Sequence, residues 1–247
     1  MKNRLIHMTL TAAASLMWFS PMFMQTGVAQ VTWSPDLRLN SQADIPNAIS
    51  TPLPDISTGV TYTNGVADRA IKTCQDYLNS VRAGFYPKDN LETRLAGSFV
   101  FRCYVLRDLQ SAKPATSGIP FKWSDNSLSQ LPPILVVGAK DVEKAAEKAE
   151  QNGTSWQQYN PELKITSIKN DQLIAEDKEN YYILTIVARA DFNGDGVSDF
   201  AVVGTANGKQ TSWVSNKYFI FSQTANGNLV RLTSDKIPYQ IKAEIPN

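Results

Sequence analysis

Histidine is all but missing from this chain, which has one copy, His7, in 247 residues. Methionine is just as confined: Met1, Met8, Met17, Met22 and Met24 are its five copies. The stretch that holds them has the marks of a secretory leader. Lys2 and Arg4 make a basic start, a mostly apolar run from Met8 to Met24 follows, and Gly27-Val28-Ala29 offers small residues where a signal peptidase cuts. An uncleaved anchor is the alternative, but the run is short for a span, Pro21 interrupts it and no stop-transfer charges follow. Residues 1–29 are therefore expected to be a signal peptide cleaved near Ala29. The rest would be periplasmic or secreted, with no transmembrane segment after cleavage and no Cys at the cut to carry a lipid.

Past Ala29 the chain has neither His nor Met. Ser-His-Asp and Cys-His catalysis, and zinc held by His, have no residue to use. Gly-x-Ser-x-Gly and Ser-x-x-Lys are missing too. A strong charge of one sign is also lacking: losing Lys2 and Arg4 takes 24 basic residues to 22, against 23 acidic ones. With no basic run, neither nucleic acid nor an anionic membrane is an expected partner. Cysteine is scarce, but Cys74 and Cys103 form an even pair in an exported chain, which favours a disulfide over two free thiols.

Residues 30–63 are rich in Pro, Ser, Thr, Asn and Asp and suggest an extended N-terminal arm or linker. A single α+β domain is expected over 64–247, helical over 64–160 and a β-meander over 161–247. Ala67, Ile71, Cys74, Leu78 and Val81 recur at helical spacing and predict a first helix from Val66 to Arg82, with Gly84 as its cap. Leu91, Leu95, Phe99, Cys103 and Leu106 predict a second from Asn90 to Ala112. Both cysteines sit on these apolar stripes, which is the placement a helix-to-helix disulfide needs. A charged helix from Asp141 to Gln151 follows a loop with Pro114, Gly118, Pro120 and Pro132-Pro133. Strands are expected at Leu163–Ser167, Gln172–Glu176, Tyr181–Arg189, Asp199–Thr205, Lys217–Gln223 and Leu229–Thr233. Turn signals at Asn170-Asp171, Asn207-Gly208 and Asn226-Gly227 suit antiparallel hairpins. The expected fold is α+β, two disulfide-linked helices packed on a C-terminal antiparallel meander.

One loop carries a strong chemical signal, Asp191-Phe192-Asn193-Gly194-Asp195-Gly196-Val197-Ser198-Asp199. Ca²⁺ takes about six to eight oxygens, and alternate residues of a tight turn supply them well. Asp191, Asn193 and Asp195 have that spacing, Gly196 permits the turn, Val197 can offer its carbonyl and Asp199 can close the site. An EF-hand needs Glu at the twelfth position, where Val202 stands. Near misses to other glycine motifs belong to this loop or to hairpins. Gly194-Asp195-Gly196 lacks a third Gly and a helix, and Gly204 to Lys209 is followed by Gln210 where a P-loop has Ser or Thr.

A strand, an acidic glycine-rich loop ending in Asp, and a second strand resemble the calcium loops of the FG-GAP and VCBS repeat families. The likeness covers Asp191 to Val203 and occurs once, where those families repeat it. It implies metal ligation by Asp191, Asn193, Asp195, the Val197 carbonyl and Asp199, with a structural Ca²⁺. The wider layout resembles uncharacterised bacterial periplasmic proteins. The expectation is an exported, non-enzymatic calcium-binding protein that binds another envelope component, a protein or a glycan. The alternative is a histidine-independent envelope glycan hydrolase with a carboxylate pair such as Glu176 with Glu179 or Asp177. Trp123, Trp156, Tyr159 and Trp213, in polar loop-like segments, are candidates for stacking on a sugar or peptide, or else for packing.

Overall fold

A computed structural model describes residues 30–56, 59–135, 140–210, 214–224 and 227–232. The expected leader, its cleavage point, Trp213, Asn226 and Thr233 lie outside these residues. In chain order the elements are β1 (Thr32–Trp33), α1 (Ile45–Ser50), β2 (Val60–Thr63), β3 (Asp68–Ile71), α2 (Cys74–Arg82), β4 (Tyr86–Pro87), α3 (Asn90–Gly97) and α4 (Val100–Ser111). Then come α5 (Ser127–Gln130), α6 (Lys140–Gln151), α7 (Trp156–Tyr159), β5 (Lys164–Lys169), β6 (Gln172–Glu176), β7 (Asn180–Ala190), β8 (Asp199–Gly208), β9 (Val214–Gln223) and β10 (Leu229–Arg231).

The segment expected to be an extended arm is instead folded into the core. Ile45 and Ile49, one turn apart on α1, are buried, as are Leu53, Ile56 and Val60. Its prolines mark starts of elements rather than breaks. Pro46 sits in the first turn of α1, and Pro35 and Pro54 open short 3₁₀ turns, positions where a missing N–H leaves no bond unmade.

The first helix begins at Cys74, eight residues later than the periodicity predicts. Thr73 and Asp76 form a capping box there: the Asp76 N–H donates to Thr73 Oγ1 at 3.0 Å, and the Thr73 N–H to Asp76 Oδ2 at 3.0 Å. Residues 68–71 instead pair with β2 across the Asn64-Gly65 turn, where Gly65 has φ +84°. The second helix is divided. Gly97 ends α3, Ser98 Oγ returns to the Leu95 carbonyl at 2.7 Å, and α4 restarts at Val100. The Cys74–Cys103 disulfide links α2 to α4 with Cα atoms 5.0 Å apart.

The main sheet is antiparallel, in the order β10-β9-β8-β7-β6-β5. β7 is longer than β6, and β1 pairs with its far half through Thr32↔Arg189 and Trp33↔Ala188. The register shifts between Ile186 and Ala188, so Val187 is an extra residue. That bulge flips the side-chain parity of the strand. Tyr182, Leu184 and Ile186 face one core, whereas Ala188 faces the other. Strand β8 does not turn at Asn207-Gly208, as the sequence signal predicts; Asn207 pairs with Val214 and Gly208 with Asn180.

Both faces of the sheet are therefore covered. On one, α1, α2 and α4 pack over Ala188, Ala201, Tyr218 and Ile220. The Tyr104 ring stacks on Tyr218, 6.0 Å between centroids, and the Tyr77 hydroxyl meets that of Tyr104 at 2.7 Å. On the other, Phe121, Trp123, α5 and Trp156 of α7 pack over Leu184, Phe200, Val202, Phe219 and Phe221. The result is an α+β fold in which disulfide-linked helices rest on an antiparallel sheet. No helix among the described residues is long and apolar enough to cross a membrane.

Candidate metal centre

The loop Asp191 to Ser198 joins the long strands β7 and β8 at one end of the sheet. Its polar side chains fold back on its own backbone. Asp191 accepts the N–H of Gly194 on Oδ1 at 2.6 Å and that of Gly196 on Oδ2 at 2.9 Å. Asn193 Oδ1 accepts the Asp195 N–H at 2.9 Å, and Asp195 Oδ1 accepts the Val197 N–H at 2.7 Å. The Asn193 and Asp195 bonds each reach the N–H two residues on, the Asx turn that Asn and Asp favour, whereas Asp191 reaches three and five residues on. Gly194 and Gly196, both at φ +83°, supply the left-handed positions.

The loop has a buried and an exposed side. Asp191 and Asp199 are 4% and 0% exposed, whereas Asn193 and Asp195 face solvent. Asp199 Oδ2 accepts the Phe192 N–H at 2.9 Å; its Oδ1 is buried and has no hydrogen-bond partner. Burial raises the Asp199 pKa above the ordinary carboxylate range, the Ser222 hydroxyl and Phe192 N–H partly offset this, and the charges of Asp195 and Asp191 raise it further. An unmatched buried acceptor costs about 1–3 kcal/mol, and more when charged. A cation removes that cost and the mutual repulsion together. The oxygens of Asp191 retain acceptor capacity beside their N–H bonds, since a carboxylate has roughly four lone-pair directions. The donor set, all oxygen and mostly anionic, fits a hard cation such as Ca²⁺. Among the described residues no three His, Cys, Asp or Glu side chains already converge as a metal cluster.

A second segment, silent in the sequence, grips the loop from outside. Lys113 and Asp191 exchange backbone hydrogen bonds at 3.0 and 2.9 Å. The Gly196 carbonyl accepts the N–H groups of Thr116 and Ser117, each at 2.9 Å, and both their hydroxyls. Ser198 N–H returns to the Ser117 carbonyl at 3.2 Å. Gly118 packs so closely on Ser198 that a Cβ there would lie 3.3 Å from its nitrogen. Residues 113–118 are where the chain passes from α4, on one core, to Phe121 and Trp123, on the other. Phe121 then stacks on Phe200, just beyond the loop, at 4.3 Å.

Of the other candidates, Asp177, Glu176, Trp123 and Trp156 are held in structural contacts, and Glu179 is exposed. Asp177 accepts the N–H groups of Glu179 and Asn180, the Tyr182 hydroxyl and the Asn160 amide. Glu176 pairs with Lys209 at 3.0 Å. Trp123 and Trp156 are buried, and Trp123 Nε1 donates to the Asp171 carbonyl at 2.8 Å; Tyr159 is half-buried. The chain matches no protein-family model, no curated protein and no solved structure.

Proposed function

We propose that this is an exported, non-enzymatic calcium-binding protein of the bacterial envelope, whose single β7–β8 loop takes one structural Ca²⁺. Asp191, Asn193, Asp195, the Val197 carbonyl and Asp199 are the ligands. The observation that carries this reading is the buried, unpartnered Oδ1 of Asp199 in a loop whose other acidic groups raise its cost. The leader-like start supports export. With the metal bound, the loop is stiffened, and with it the 113–118 crossover that joins the two cores. The sheet and the α4 face are thereby set in one arrangement, as a surface for another envelope component requires. Titrating Ca²⁺ into the purified protein raises the melting temperature, and Asp195→Ala removes the rise. If Asp195→Ala and wild type melt alike at millimolar Ca²⁺, the metal reading is wrong.

A further inference from the structure

The segment from Ser34 to Pro54 curls over α4 and leaves a cleft of about 670 Å³ between itself, the helix and the sheet. Cavities that hold small molecules span roughly 300–1,000 Å³. Its floor is where the helical core is unsealed: Leu39, Ala48, Phe101, Val187 and Val203 pack against that core yet remain partly open to solvent. Val187 faces this side by ordinary alternation from Ile186, and the bulge adds Ala188 beside it.

Four charged residues stand on the walls, Asp36, Arg38, Asp44 and Arg102. Both acids are engaged locally. Asp44 Oδ2 accepts the N–H groups of Asn40 and Ser41 at 2.9 and 2.8 Å, and Asp36 Oδ2 accepts the Ser34 hydroxyl at 3.2 Å. Arg102 Nη1 donates to the Asp36 carbonyl at 3.2 Å, which holds that wall together. Arg38 differs. Its backbone is fixed in the left-handed region at φ +54° by its N–H bond to the Pro35 carbonyl at 2.9 Å. No carboxylate among the described residues pairs with its guanidinium. The left-handed conformation is that of a C-cap closing the 35–37 turn.

We propose that this cleft binds a small amphipathic anion, an apolar body with one carboxylate, seated on Ala48, Phe101, Val187 and Val203 with its carboxylate on Arg38. The guanidinium fork matches a carboxylate in two parallel hydrogen bonds. The site is separate from the calcium loop and stands or falls without it.

Octanoate and its uncharged counterpart octan-1-ol are the probes, titrated calorimetrically into the purified protein. Octanoate binds one to one with a Kd on the order of 100 µM, the range open to a ligand of that size. Octan-1-ol binds at least about tenfold more weakly, and Arg38→Gln loses about tenfold for octanoate alone, as removal of a charge-assisted contact requires. Ala48→Trp, which fills the floor, abolishes both. Should that variant not fold, Arg38→Glu, at an exposed position, serves instead and excludes octanoate while sparing octan-1-ol. Absence of octanoate binding, equal affinity for the two probes, or binding indifferent to Arg38 overturns the proposal.

Discussion

Asp199 and Phe192 face each other across the mouth of the β7–β8 turn, with one carboxylate oxygen of Asp199 accepting the Phe192 N–H at 2.9 Å and the other buried without a hydrogen-bond partner. Asp199→Asn separates the two jobs. The amide oxygen still accepts from Phe192, and the like-charge repulsion with Asp191 and Asp195 falls. Stability without calcium is expected to stay within about 1 kcal/mol of wild type, because a hydrogen bond is kept and a buried charge removed. The calcium response is expected to vanish. Urea unfolding with and without Ca²⁺ measures both.

Gly196 is fixed by its neighbour as well as by its backbone. At φ +83°, any added Cβ would also lie 2.7 Å from Thr116 Oγ1. Gly196→Ala should destabilise by roughly 1–3 kcal/mol, from left-handed backbone and overpacking together. Adding Thr116→Ala should recover the steric part only. Equal midpoints for Gly196→Ala and wild type in urea would contradict the clamp.

Asp177 predicts a pH effect far from the β7–β8 loop. Burial raises its pKa, but the Tyr182 hydroxyl, the N–H groups of Glu179 and Asn180 and the Asn160 amide outweigh it, leaving it below the ordinary value of an aspartate. A lowered carboxyl pKa stabilises the fold above its unfolded value and loses that contribution as pH falls through the folded one. Wild type should therefore lose stability below about pH 4, where an unfolded Asp begins to protonate. Asp177→Asn should start less stable at pH 7 and show a flatter profile over the same range. Parallel profiles would remove the role given to Asp177.

The disulfide joins α2 to α4 over 29 residues of sequence. Replacing both cysteines by Ala should cost roughly 3–4 kcal/mol in the chain-entropy account. Chemical denaturation of the Cys74→Ala/Cys103→Ala pair, set against wild type, measures it.

The strands after residue 161 and helix α6 are legible in the sequence, whereas β1 to β4 are not. β6 is read to the residue, because Gln172 to Glu176 alternates and is flanked by turn residues. Helical periodicity alone misplaces the start of α2, since Ala67 and Ile71 fit a helical stripe by chance while the Thr73–Asp76 box sets the true start. Composition makes residues 30–63 look like an arm because it counts prolines without showing that Pro35, Pro46 and Pro54 begin elements. In the β7–β8 loop the sequence reveals each acidic residue and each glycine, since their roles are local. It could not reveal the 113–118 clamp, because Thr116 and Ser117 reach Gly196 across about 80 residues through hydroxyls and backbone that carry no pattern. The cleft under Ser34–Pro54 was hidden for the same reason: its floor gathers residues from α1, α4, β7 and β8.

The central claim is that the β7–β8 loop holds one calcium ion through Asp199. Titration calorimetry of the purified protein with CaCl₂, beside Asp199→Asn, tests it most directly. One-to-one binding with a Kd of roughly 1 mM or tighter, the range of extracellular calcium modules, lost in the variant, is the predicted result. No heat of binding at millimolar Ca²⁺, or the same isotherm from both proteins, would contradict it.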